Sequence, residues 1–393
     1  MTAQTTHFKV GNGDMTLIET ADGHKVLVDI NICQADDYDD DRPDVASQLR
    51  DRLERDDEDR LYVDAFLLTH PDEDHCHGLR EHFHLGDPDD WSEDDDKIII
   101  REMWSSPIVF RRRSKNHTLC KDAQAWATEA RRRVNRYKNG YSRADGENIL
   151  ILGEDIDDKT DGIEEIVIKV DDEIRQINDT WDDGFRGYLL APIGPSNDDE
   201  LEDALSKNNS SVIINIALTP ENSDAESNFL FGGDAEVAIW ERVWDRNKDD
   251  TSTLEYDVLI APHHCSWHSL SYDSWSKRGE DAKVSDKARD ALSQHREGAL
   301  IISSSKKVVN DKNDPPCIRA KREYVDIVGS DNFKCLADLS GPQPYEIEVK
   351  TTGPRPKSRS QGNRSSVAAG IGTGAAAGSS TALGSQPFKH GDA

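Results

Sequence analysis

Short apolar runs, each cut off by turn chemistry, dominate the start of the chain. "HFKV", "MTLIET" and "KVLVDINI" are separated by "GNGD" and "ADGH", which predicts a succession of β-strands. "VASQLRDRLERDDEDR" has helical spacing, and "LYVDAFLLT" and "KIIIREMW" read as buried strands. "CKDAQAWATEARRRVNRYKNG" reads as a helix stopped by Asn139-Gly140. Further strands are predicted at "NILILG", "EEIVIKV", "YLLAPI", "SVIINIAL", "NFLFGG", "YDVLIAP" and "ALIISSS", with helices at "DELEDALSK", "AEVAIWERVWDR" and "SDKARDALSQH". Strands come first and then alternate with helices, so both sheet faces need cover. The pattern predicts an α/β (α+β) fold in four layers, αββα.

From Gly353 the composition collapses to Gly, Ala, Ser, Pro and Arg. Such a segment has too little apolar surface to fold. The reading is therefore one domain over 1–352 and a disordered tail over 353–393. The remainder is polar, but eight Trp make it too aromatic for disorder. A net charge of −29 repels polyanions, so indiscriminate coating of DNA or of anionic membranes is excluded. The N-terminal "MTAQTTHFKVGNGD" lacks the apolar core of a signal peptide, no run reaches membrane-spanning length, and the six cysteines form no CxxC pair. Those features predict a cytoplasmic protein with reduced thiols.

Against that background "LLTHPDEDHCHGL" raises a question of chemistry. A buried strand ends and at once gathers His70, Asp72, Asp74 and His75, spaced H-x-D-x-D-H. His70 and Asp72 lie two apart in extended chain and share a side, whereas Asp74 and His75 sit at the start of a helical turn. Without a cation the carboxylates repel each other; with one, imidazole and carboxylate are the ligands that divalent metals take. A solvated acidic loop is the alternative. Two later strands end in the same chemistry: "NFLFGGDAE" in Asp234, and "YDVLIAPHHCSWHS" in His263 and His264.

With these residues in view, "VGNGDMTLIE", "VLVDI", "THPDEDHCHGL", "NNSSVIINI", "FLFGGD" and "DVLIAPHHCS" resemble the metallo-β-lactamase-fold hydrolases, within them the ComEC-type competence protein hydrolase domain. The resemblance implies the αββα metallo-β-lactamase sandwich and a binuclear centre holding two divalent ions, Zn or Mn, with Fe as a further candidate. It implies His70 and Asp72 on one metal, Asp74 and His75 on the other, Asp234 bridging, and His264 as a further ligand. His263 then either supports the ligands from behind or contacts substrate, and Asp29 lies beneath the site, a strand-end charge being its other reading. Two departures stand out. "KNNSSV" puts Asn208 or Asn209 where many relatives carry a ligand histidine, and "HHCS" puts Cys265 where the family carries glycine.

The chemistry implied is hydrolysis of a phosphodiester by a metal-bridging hydroxide, with Asp74 handling a proton and His263 protonating the leaving group. Asn209, Ser266 and the arginines Arg111, Arg112 and Arg113 of a helical insertion are the candidate substrate contacts, and Arg131 to Arg133 form a second basic cluster. Both arginine clusters could equally pair with the abundant carboxylates. Trp104, Trp126 and Tyr137 could stack bases or pack the inserted helix. The partner expected is thus an anionic nucleic acid or nucleotide, with no membrane involved. Two other functions stay open: hydrolysis of a small ester, lactone or thioester, and a non-catalytic binding module.

Overall fold

The computed structural model describes residues 2–33, 43–107, 119–153, 160–193 and 211–357. The tail beyond 357, Arg111 to Arg113, Asn208 and Asn209, and the helix expected at "DELEDALSK" lie outside the described residues.

The first sheet opens with β1 (Gln4–His7), β2 (Thr16–Glu19), β3 (Lys25–Val28), β4 (Leu61–Leu68), β5 (Ile99–Ser105), β6 (Asn148–Leu152) and β7 (Val167–Ile168). The second holds β8 (Glu173–Ile174), β9 (Phe185–Ala191), β10 (Ile213–Leu218), β11 (Ser227–Phe231), β12 (Tyr256–Ile260), β13 (His295–Ser303) and β14 (Phe333–Cys335). The chain then returns to the first sheet with β15 (Tyr345–Lys350) and β16 (Gly353–Pro356), giving the order β16-β15-β1-β2-β3-β4-β5-β6-β7. Residues 353–356, expected in the tail, are therefore a strand paired with β15.

Alternation along the second sheet shows how the layers pack. Ile214, Phe229, Phe231, Val258 and Ile260 join the core shared with the first sheet. Their neighbours Ile213, Leu230 and Leu259 join a separate core under the helices α3 (Val237–Asn247), α4 (Asp286–Leu292) and α5 (Ile318–Val328). Two-residue periodicity puts successive side chains on opposite faces, so each strand serves two cores. Trp104 of β5 meets Phe185 of β9 across the sandwich, with ring centroids 5.9 Å apart. The outer face of the first sheet is covered by α2 (Lys121–Lys138), whose Trp126 packs on Phe66 at 5.0 Å. Four layers result, as the pattern predicted. No described helix is long and apolar enough to cross a membrane.

One predicted helix is cut short. Of "VASQLRDRLERDDEDR" only α1 (Val45–Arg50) is helical. The Asp56 carboxylate accepts the backbone N–H of Glu58 (3.0 Å) and of Arg60 (2.9 Å). That local bond folds the chain back, so Glu54–Arg55 pairs with Leu61 and Tyr62.

Candidate metal centre

The strands that matter for the site are parallel where it forms. β3 runs parallel to β4, and β11, β12 and β13 run parallel to one another, so their carboxyl ends finish at one edge of each sheet. Asp29 follows β3, His70 follows β4, Asp234 follows β11, and His263 and His264 follow β12. Glycine permits the close approach. A Cβ on Gly233 (φ +48°) would stand 2.9 Å from Thr69 Oγ1, and one on Gly13 would stand 2.7 Å from the Asp74 carbonyl.

Asp234 is the hub, buried to 3% exposure. Its two oxygens face different partners. Oδ1 lies 3.0 Å from His75 Nε2 and 3.4 Å from His264 Nε2. Oδ2 lies 3.5 Å from His70 Nε2 and 3.6 Å from His263 Nε2. Each half then gains one carboxylate from the "PDEDH" turn. Asp74 Oδ2 is 3.2 Å from His264 Nε2, and Asp72 Oδ2 is 3.9 Å from His70 Nε2. Asp72 and Asp74 keep 28% and 40% of their side chains exposed, and His263 keeps 14%, so these three form the open side.

A four-coordinate cation with bonds of about 2.0–2.2 Å sets its ligand atoms about 3.3–3.6 Å apart by tetrahedral geometry. The His75 and His264 Nε2 atoms lie 3.3 Å from each other, and the other distances of the Oδ1 half, 3.0, 3.2 and 3.4 Å, fall in or slightly below that range. Unsatisfied atoms tell the same story. His70 Nε2, His263 Nδ1, Asp234 Oδ1 and Asp14 Oδ1 are all buried without a hydrogen-bond partner. Buried polar atoms ordinarily find one, and here a cation would supply it for His70 Nε2 and for Asp234 Oδ1. The residues present therefore fit a divalent metal ion.

The rings are held from behind. Asp29 Oδ2 lies 2.7 Å from His75 Nδ1 and accepts the Thr69 hydroxyl at 2.6 Å, while Oδ1 accepts the Thr69 N–H at 2.7 Å. A carboxylate only accepts, so Nδ1 carries the proton and Nε2 is left to face Asp234. His264 is held differently: its Nδ1 accepts the Gly13 N–H at 3.2 Å, and Asp14 Oδ1 stands 3.6 Å from the same nitrogen as a nearby charge. Asp14, His75, Asp234 and His264 together offer ligand atoms within 4.8 Å of one another. Asp14 approaches the ring nitrogen away from Asp234, so it lies behind His264 and does not share the hub.

The field inside is strongly negative. Burial pushes His264 down, yet Asp234 and Asp14 outweigh it and lift the imidazole to about 10. His75 rises well above its usual range for the same reason, with burial opposed by Asp234 and Asp29. Burial would raise Asp234 and Asp74, but the surrounding imidazoles hold both well below the usual carboxylate range. Such a pocket attracts positive charge, either protons or a metal ion that displaces them.

The structure thus gathers His70, Asp72, Asp74, His75, Asp234, His263 and His264. Other sequence expectations change. Ser266, expected to touch substrate, is fully buried and donates its hydroxyl to Asp314 Oδ1 at 2.7 Å. Arg132 is bound by Glu129 and Glu147, and Arg133 is buried with its guanidinium on Glu129 and on the Ile100 and Asn148 carbonyls. Neither is available to clamp phosphate. Trp104 and Trp126 belong to the core, their indole N–H groups donated to Glu102 and to Ser105 Oγ, so they do not stack bases. Asp14 was missed as a site residue: "GNGD" looks like turn chemistry, and nothing local links it to a histidine 250 positions later.

No family model matches the chain, and no curated protein matches it. Among solved structures, the crystal structure of unliganded yeast PDE1 aligns with 85% of this chain and 97% of that one, at 11% identity and a TM-score of 0.38. A likeness that loose bears on neither ligands nor chemistry, which rest on the geometry above.

Proposed function

We propose that this chain is a metal-dependent hydrolase whose substrate is a phosphodiester. The observation that carries the reading is the division of Asp234, one oxygen to each of two imidazole sets. In this reading His70, Asp72, His263 and Asp234 Oδ2 hold one ion, and Asp74, His75, His264 and Asp234 Oδ1 hold the other. Two divalent ions there would supply Lewis-acid stabilisation of phosphoryl oxygens and a nucleophilic water at neutral pH. Asp74, the most exposed of the carboxylates, is placed to take a proton from the attacking group and return it. His263 turns Nε2 toward the same oxygen as His70, which suits a ligand better than the leaving-group acid assigned to it from sequence. The resemblance of the motifs implies the same ligands except His263, which it placed outside them.

A small ester, lactone or thioester is the second reading. It is favoured by the commitment of Arg132 and Arg133 to internal carboxylates and carbonyls, which removes two of the six arginines expected to clamp phosphate. The test is a cleavage screen on protein loaded with Zn²⁺ or Mn²⁺, using bis-p-nitrophenyl phosphate, single-stranded DNA, RNA and an acyl thioester. Cleavage of the phosphodiesters, abolished in Asp234→Ala, supports the first reading. Cleavage of the thioester alone establishes the second.

A further inference from the structure

Cys76 directly follows His75, and its Sγ lies 3.6 Å from Cys120 Sγ although the two are 44 residues apart. The contact joins two elements. Cys76 ends the helical turn Glu73–Cys76 that carries Asp74 and His75, and Cys120 caps the N-terminus of α2, its sulfur accepting the Ala123 N–H at 3.3 Å. Cys76 is buried and Cys120 is half-buried, so one partner is reachable from solvent. Cys265 and Cys335 are placed differently, with their thiols directed at the carbonyls of Cys317 and Lys306.

We propose that Cys76 and Cys120 form an oxidisable dithiol, closed to a disulfide by a peroxide. Backbone N–H groups at the helix start stabilise sulfur-centred negative charge on Cys120, the accessible partner and hence the attacking one. The Cys120 thiolate attacks one peroxide oxygen, the O–O bond breaks, and Cys120 becomes a sulfenic acid as hydroxide leaves. The Cys76 sulfur then attacks the Cys120 sulfur; the S–S bond forms, the S–OH bond breaks, and the departing hydroxide leaves as water with the Cys76 proton. Overall two thiols lose two electrons and two protons, and hydrogen peroxide is reduced to two waters.

Closure has a consequence at the metal centre, a part that rests on the reading under Proposed function. The sulfurs must close from 3.6 Å to about 2.05 Å. The Cys76 thiol must also release the Asp72 carbonyl, to which it donates at 3.1 Å. Asp72, Asp74 and His75 all sit on the turn that moves. A cation fixing that turn therefore opposes the disulfide, and by linkage the disulfide opposes the cation.

The experiment treats the full chain with hydrogen peroxide, metal-free and again with bound Zn²⁺ confirmed by elemental analysis. Free thiols are then alkylated and the peptides mapped by mass spectrometry. The expected product is a peptide pair crosslinked through Cys76 and Cys120, kept in Cys33→Ser, lost in Cys120→Ser, and formed several-fold more slowly in the zinc-loaded protein. Both thiols remaining alkylatable, or a crosslink through Cys33, whose Sγ lies 3.2 Å from His77 Nδ1, would overturn the dithiol. Equal oxidation rates with zinc demonstrably bound would overturn the coupling. A protein that forms the crosslink yet binds no metal would overturn the functional reading while upholding the disulfide.

Discussion

Replacing Asp29 by Asn isolates the orientation of one ligand from its presence. Asp29 is fully buried at φ +53°, a conformation that Asn also tolerates, so the backbone stays as it is. The amide oxygen can keep the Thr69 N–H, but an NH₂ group then stands where Oδ2 met both the Thr69 hydroxyl and His75 Nδ1. The hydroxyl can rotate to accept. The imidazole relieves the donor–donor clash only by moving its proton to Nε2, which points it at Asp234 Oδ1, 3.0 Å away. Without metal that close approach lacks hydrogen-bond geometry in the parent and offsets little, so the loss is about one charge-assisted bond, roughly 1.5–3 kcal/mol. With metal, the proton occupies the position of the cation. Removal of such an orienting partner costs about 10–100-fold in metal affinity, or about 1.4–2.7 kcal/mol. Competition titration of Zn²⁺ against a chromophoric chelator measures the affinity, and urea unfolding of the metal-free protein measures the stability. A variant that folds and binds zinc as tightly as the parent refutes the reasoning, because Asp29 would then be only a strand-end charge.

Asp234→Asn keeps the shape of the hub but removes the charge that four imidazoles face; bound metal should be lost in elemental analysis, and metal-free stability should fall by about 3–5 kcal/mol. An unchanged unfolding midpoint would contradict the buried pairing. At Cys265, φ is +68° and the side chain is fully buried, so Cys265→Gly should be more stable than Cys265→Ala by about 1 kcal/mol, the reverse of the order inside a helix. Thermal melts of the pair decide it. Far from the metal centre, a hydrogen bond to Asp182 raises the pKa of His24, so its contribution is complete below the unfolded value of about 6.5 and fades as pH rises through the folded one. The stability gap between the parent and His24→Gln should therefore narrow from acid to alkaline pH; a constant gap would mean that protonation plays no part.

Whether a feature could be read from sequence depended on how local its cause is. Strand ends were legible because an apolar run stops at its polar end: Thr69-His70, Gly233-Asp234 and Pro262-His263 each announce themselves within a few residues. The α2 helix was legible for the same reason, its buried Ala123, Trp126, Ala127, Ala130 and Val134 falling on one stripe. Asp14 was not, because its role depends on the "GNGD" turn landing on the Asp74 backbone, where Asp14 N donates to the Asp74 carbonyl at 3.3 Å. The arginines were half legible. Their charge was plain, but Glu129 lies on the same helix and Glu147 comes only after it, and which carboxylates would reach Arg132 was set by tertiary packing. The C-terminal elements α5 and β14 went unread because their apolar positions are few and interleaved with charge.

Backbone conformation supplies an independent argument that the clustering is functional. Ten non-glycine residues among those described have positive φ, and seven of them are Asp or Asn, the types whose short polar side chains tolerate it. The other three are consecutive: His263 (+50°), His264 (+53°) and Cys265 (+68°). A histidine or cysteine there costs about 1–2 kcal/mol, and three in a row persist only where surrounding bonds impose them. Those bonds are visible: His263 N donates to the Gly233 carbonyl (3.0 Å), Ser266 N to the His263 carbonyl (2.9 Å), and Cys317 N to the Cys265 carbonyl (2.9 Å). The result is a left-handed turn that sends both imidazoles toward Asp234, one to each oxygen. Adjacent residues of an extended strand would point to opposite faces, and only one could reach the hub. A chain that merely needed to end β12 would have no use for this strain, whereas a chain that must bring two neighbouring histidines onto one carboxylate does.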